Sequence, residues 1–212
     1  MENLRIYAVD IGTLKTTKQR PVSNFGWACA NTDGAIEDQG TEIGPLTLSL
    51  ALDLAKGRPV ALGFEAPLFL RIRNAPEELT SARIVDQGKA WSAAAGLGSF
   101  AVGAVQVPWL MRALASRLDN PVPCFLNWKA FRAAQKGLFI WEAFVTGDAK
   151  GESHVDDASI AVNAFQKSLP DPTFDRPAEI GNVMNLAGCA LLWAGLSQDL
   201  GLLQEPCVVI KA

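Results

Sequence analysis

Leu4-Arg5-Ile6-Tyr7-Ala8-Val9-Asp10-Ile11-Gly12 opens the chain with an apolar run that alternates loosely and stops on a carboxylate. A similar stop occurs at Pro59-Val60-Ala61-Leu62-Gly63-Phe64, which Glu65 closes. That second run does not alternate, as expected of a central strand covered on both faces. A carboxylate at the end of a buried strand is costly unless something cationic neutralises it. A third acidic position, Asp156-Asp157, opens the helical stretch Ala158 to Phe165. Three such positions from distant parts of one chain point to a divalent metal site.

Working outward from the first run, residues 4–10, 24–31 and 35–43 read as three strands, the last two joined by the turn Thr32-Asp33-Gly34. Strands this close in sequence are expected to form an antiparallel meander. A helix follows over 46–56, with Gly57 and Pro59 beyond it as stop signals. After the strand at 59–65, the polar segment 66–90 reads as a loop with short helical turns. Residues 91–118 are helical in character, with interruptions at Gly96-Gly98 and Pro108, and Asn120-Pro121-Val122-Pro123 is a breaker. A central strand at 137–144 carries Glu142, helices follow at 156–168 and 178–196, and 206–210 closes as a short strand. Strands grouped three, then one, then alternating with helices give an α/β fold. Its mixed sheet has antiparallel strands first and parallel strands after, with helices on both faces.

The bulk composition agrees with one domain spanning residues 1–212. With 49% hydrophobic and 19% charged residues, the chain can bury a substantial core. A net charge of -3 gives no global electrostatic footprint for nucleic acid, so such a partner needs a local basic patch. The four cysteines, Cys29, Cys124, Cys189 and Cys207, are scattered without a CxxC pair. That pattern fits reduced thiols in a cytoplasmic protein better than zinc or disulfides. No signal peptide is visible at the N-terminus. The greasy stretches 93–110 and 183–196 are rich in Ala and Gly, and we read them as helices buried in protein rather than in a bilayer.

The order of elements, with acids ending the first and fourth strands and another on a late helix, resembles the ribonuclease H-like fold. The nearest match is to the RuvC-like resolvases and the related predicted RNase H-like nucleases. It is carried by Val9-Asp10-Ile11-Gly12, Phe25-Gly26-Trp27-Ala28, Phe64-Glu65-Ala66-Pro67, Trp141-Glu142-Ala143 and His154-Val155-Asp156-Asp157-Ala158. The resemblance implies a metal-dependent nuclease acting on structured or hybrid nucleic acid. Asp10, Glu65 and Asp157 would hold two Mg²⁺ or Mn²⁺ ions, roughly 3.5–4 Å apart in such sites. His154 and Asp157 reproduce the His-x-x-Asp of RuvC-like sites, so His154 is a candidate to position water or phosphate, or to bind metal. One departure stands out: the related nucleases often carry a further acid where this chain has Ile160.

Each residue also has a plainer reading. Carboxylates in the first turn of a helix are favoured by its unpaired N–H groups alone, so one of Asp156 and Asp157 is a cap. Asp157 fits the resemblance better, and Asp156 stays open as the ligand. Glu142 can be satisfied by a backbone donor at a sheet end or can face substrate. Lys15, Lys18 and Arg20 crowd the connection after the first strand, and Arg71, Arg73, Arg83 and Lys89 the one after Glu65. Both connections leave the carboxyl edge of the sheet, where α/β ligand sites collect, so these side chains form a candidate phosphate-binding patch. Asn127-Trp128-Lys129-Ala130-Phe131-Arg132 is the candidate exposed aromatic stretch. Two other functions share this pattern: a binding or scaffold protein with a degenerate site, and an actin-like phosphotransferase suggested by Asp10-Ile11-Gly12-Thr13. Nucleic acid is the expected partner, no membrane is, and a homodimer stays open.

Overall fold

A computed structural model describes residues 1, 3–19, 23–86, 90–173 and 182–212. The strands are β1 (Arg5–Asp10), β2 (Gly26–Ala30), β3 (Asp38–Gly40), β4 (Val60–Phe64), β5 (Phe69–Ile72), β6 (Cys124–Phe125), β7 (Leu138–Phe144), β8 (Asn182–Asn185) and β9 (Val209–Lys211). The α-helices are α1 (Ile43–Ala55), α2 (Ala94–Ala115), α3 (Trp128–Ala134), α4 (His154–Ser168) and α5 (Leu186–Ala194). The main sheet runs β3-β2-β1-β4-β7-β6, and β9 also pairs with β7. Strands β3, β2 and β1 are antiparallel, whereas β4, β7, β6 and β9 continue parallel to β1. The chain is therefore an α/β protein with the mixed sheet read from its sequence.

Alternation along the strands sends side chains to two cores. Tyr7, Val9, Trp27, Leu62 and Phe64 meet α1, α2 and α5 on one face. Ile6, Ala8, Ala28, Ala61, Phe139, Trp141 and Ala143 meet α3 and α4 on the other. Every residue of β1, β2 and β4 is buried, which is why their sequences hardly alternate.

Several elements depart from the sequence reading. The segment 66–90 contains β5, which pairs antiparallel with β8 in a separate two-stranded sheet. The helix read from 178 begins at Leu186, because Asn182–Asn185 pair with β5 and the buried Asn185 caps α5 by accepting from the Gly188 amide. Residues 178–181 lie outside the described residues. Helix α2 is continuous through Gly96, Gly98 and Pro108. Proline removes one helical hydrogen bond, and the carbonyl it strands belongs to Ala104 on the exposed side of the helix. Nor is α2 buried: only 22% of its most apolar 18-residue window is covered. Among the described residues it is the one helix long and apolar enough to cross a membrane, but it packs against α5 and α1. The candidate stacking stretch at 127–132 is α3. Trp128 is 4% exposed and packs edge to face on Phe139 and Phe165, and the fully buried Phe131 stacks on Phe139, so neither ring is presented to a ligand.

Candidate metal centre

Strands β1 and β4 lie side by side and parallel, with Val9 opposite Phe64 and the Glu65 amide donating to the Val9 carbonyl at 2.8 Å. Val9 and Phe64 both enter the core under α1 and α2. The next residues, Asp10 and Glu65, consequently turn to the opposite face, where α4 crosses β1 and β2. Asp157, in the first turn of α4, meets them there. One oxygen from each of Asp10, Glu65 and Asp157 lies within 4.8 Å of the others. Asp10 and Asp157 are buried and Glu65 nearly so. This buried acidic triad could hold a metal ion.

Local sequence explains how α4 is aimed. Its N-cap Ser153 accepts from the Asp156 amide at 3.2 Å, and the Ser153 hydroxyl donates to the Asp156 carboxylate at 2.7 Å. Asp156 is thus an exposed capping partner, and Asp157 is the residue brought to the triad. The Gly151 amide donates to Asp157 Oδ1 at 2.7 Å, and Lys150 Nζ donates to Oδ2 at 3.0 Å. Lys150 also lies 3.5 Å from Glu65 Oε1. His154 places Nδ1 against Asp10 Oδ2 in a short hydrogen bond. The helix approaches this closely because Gly26 has no side chain: a Cβ there would stand 2.2 Å from the His154 carbonyl carbon.

The electrostatics follow from this crowding. Burial, then the neighbouring Asp10 charge, push the Glu65 carboxyl up to about 8, against the pull of Lys150. Asp10 is also raised by burial, with His154 and Lys150 opposing. Burial acts to lower the Lys150 ammonium, but the Asp157 hydrogen bond and the charges of Glu65, Asp157 and Asp10 outweigh it, and the group is raised. Glu65 Oε2 is buried without a hydrogen-bond partner. A carboxylate oxygen in that state is a ready ligand for a hard cation, and three carboxylates are the donor set such cations prefer.

Other candidate residues go elsewhere. Glu142 is opposite Phe64 in register, so it points to the α1–α2 face, away from the triad. There it is 1% exposed, ion-paired with Arg83 at 2.6 Å and accepting from the Leu68 amide at 2.9 Å. Arg83, read as part of a phosphate patch, is itself buried between Glu142 and Asp86. Arg73 donates to the Ala82 carbonyl, and Arg71 lies on β5. Lys15 and Lys18 are exposed on the connection that leaves β1 just beyond Asp10. Arg20 and Lys89 lie outside the described residues. Sequence reasoning missed Lys150, whose one available signal was its place directly before Gly151 and the α4 cap.

Comparison of the chain with protein-family models, curated proteins and solved structures finds no match. The reading of this centre therefore rests on its own chemistry.

Proposed function

We propose that the protein is a divalent-metal-dependent nuclease of the ribonuclease H-like kind, hydrolysing phosphodiester bonds of structured or hybrid nucleic acid. The observation that carries this reading is the meeting of Asp10, Glu65 and Asp157 at the carboxyl edge of two adjacent parallel strands and the start of one helix. The element order and the His154-to-Asp157 spacing, as in RuvC-like enzymes, support the same reading.

Bound Mg²⁺ or Mn²⁺ would polarise the phosphate and acidify a water, with positive charge needed on both the attacking and leaving sides. Asp10, Glu65 and Asp157 are the residues that would hold it. His154, with Nδ1 on Asp10, keeps Nε2 as the nitrogen that accepts the water's proton. The water oxygen forms the new P–O bond, the P–O bond to the leaving sugar oxygen breaks, and that oxygen takes a proton from solvent. Lys15 and Lys18 follow Asp10 along the chain and supply phosphate contacts.

Asp10→Asn tests this directly. Titration calorimetry with Mn²⁺ should show binding in the natural chain and none in the variant, and cleavage of RNA–DNA hybrid or branched DNA should be lost with it. Unchanged Mn²⁺ affinity in Asp10→Asn contradicts the reading.

A further inference from the structure

The triad already contains a cation. Lys150 Nζ sits 3.0 Å from Asp157 Oδ2 and 3.5 Å from Glu65 Oε1, so it occupies the edge of the triad that those two carboxylates share. Both oxygens of Asp157 already have a partner, since the other accepts from the Gly151 amide at 2.7 Å. That bond comes from the residue next to Lys150, so the backbone carrying the lysine is tied to the carboxylate the ammonium pairs with. Glu65 is divided instead: Oε1 faces Lys150, whereas Oε2 is buried and unpartnered. The oxygen with no competing partner is on Glu65, with Asp10 beside it.

Charge counting agrees with the geometry. The three carboxylates carry three negative charges when ionised, Lys150 returns one, and a single divalent ion brings the cluster to neutrality. Two divalent ions together with Lys150 would leave it two positive in a largely buried place, where uncompensated charge is strongly disfavoured.

We propose that Lys150 is the second cation of this centre: one divalent ion binds Asp10 and Glu65, and the ammonium, held by Asp157 and Glu65, supplies the positive charge that a second ion would bring. This rests on the metal-dependent reading above and narrows it. A bound phosphate would then be met by positive charge from one metal held by Asp10 and Glu65 and from the Lys150 ammonium.

The test is the number of Mn²⁺ ions bound by the full chain and by Lys150→Ala, counted by calorimetry and by electron paramagnetic resonance. The Lys150 side chain is 48% exposed, so its removal leaves the core intact. The natural chain should take up one ion with the six-line spectrum of isolated Mn²⁺. Lys150→Ala should take up two, with the spectrum of a magnetically coupled pair. Two coupled ions in the natural chain, or a single ion in Lys150→Ala with unchanged affinity, overturns the proposal while leaving a metal-dependent centre. No Mn²⁺ bound by the natural chain overturns the metal reading itself.

Discussion

Glu65 shows what burying a carboxylate among its own kind does. Its side chain is 15% exposed, and burial together with Asp10 raises its carboxyl to about 8 from an ordinary 4.5. Folding therefore favours the protonated form. The resulting stabilisation is fully present below pH 4.5 and is lost as pH rises through about 8. Metal-free protein should accordingly lose thermal stability over that window more steeply than Glu65→Gln, which has no proton to lose. Parallel melting curves from pH 4.5 to 8 for the two proteins would contradict the assignment. Saturating Mn²⁺ should remove the difference in slope, because the ion replaces the proton as the neutralising charge. Single residues of this kind were readable in the sequence: Asp10 and Glu65 end apolar runs, where a charge needs a reason. Lys150 was not, because its place before Gly151 and the α4 cap is a weak signal that a solvated loop lysine shares.

Helix α4 brings the third carboxylate and the histidine to the strands, and its placement depends on Gly26 as much as on its own residues. An added Cβ at Gly26 would lie 2.2 Å from the His154 carbonyl carbon, 2.3 Å from its oxygen and 2.4 Å from the Val155 nitrogen. These are backbone atoms that no rotamer change can move aside. Gly26→Ala should push the start of α4 off β2 and cost about 1–3 kcal/mol, as overpacking does. The same shift should weaken Mn²⁺ binding by pulling Asp157 and His154 from Asp10. Urea unfolding and calorimetry would check both; a stable variant with undiminished Mn²⁺ affinity would show that α4 does not position the centre. The Ser153 cap and the paired acids marked the start of α4 in the sequence. Which acid faced inward was settled only by the helix's rotation against β1 and β2. Glu142 shows the complementary limit. It lies two residues before the end of a buried strand, and its partnering with Phe64 rather than Glu65 sends it to the other face. That parity between strands is a long-range property, which no single stretch of sequence records.

Across the whole molecule, most strands of the main sheet were legible from local signals, buried runs for central strands and a meander for the antiparallel edge, whereas the two-residue edge strand β6 was not. The small β5–β8 sheet was not. Phe69-Leu70-Arg71-Ile72 is short, and its partner Asn182–Asn185 comes from far along the chain. The exposure of α2 was likewise hidden, since composition reports apolar content but not which elements arrive to cover it. What the assembled fold does is bring two strand ends and one helix start to one point, and every step of the functional reading depends on a cation at that point. A crystal soaked in Mn²⁺ and measured at the manganese absorption edge tests this most directly. The account predicts an anomalous peak in contact with Asp10 and Glu65, and a map with no peak among Asp10, Glu65 and Asp157 would contradict it.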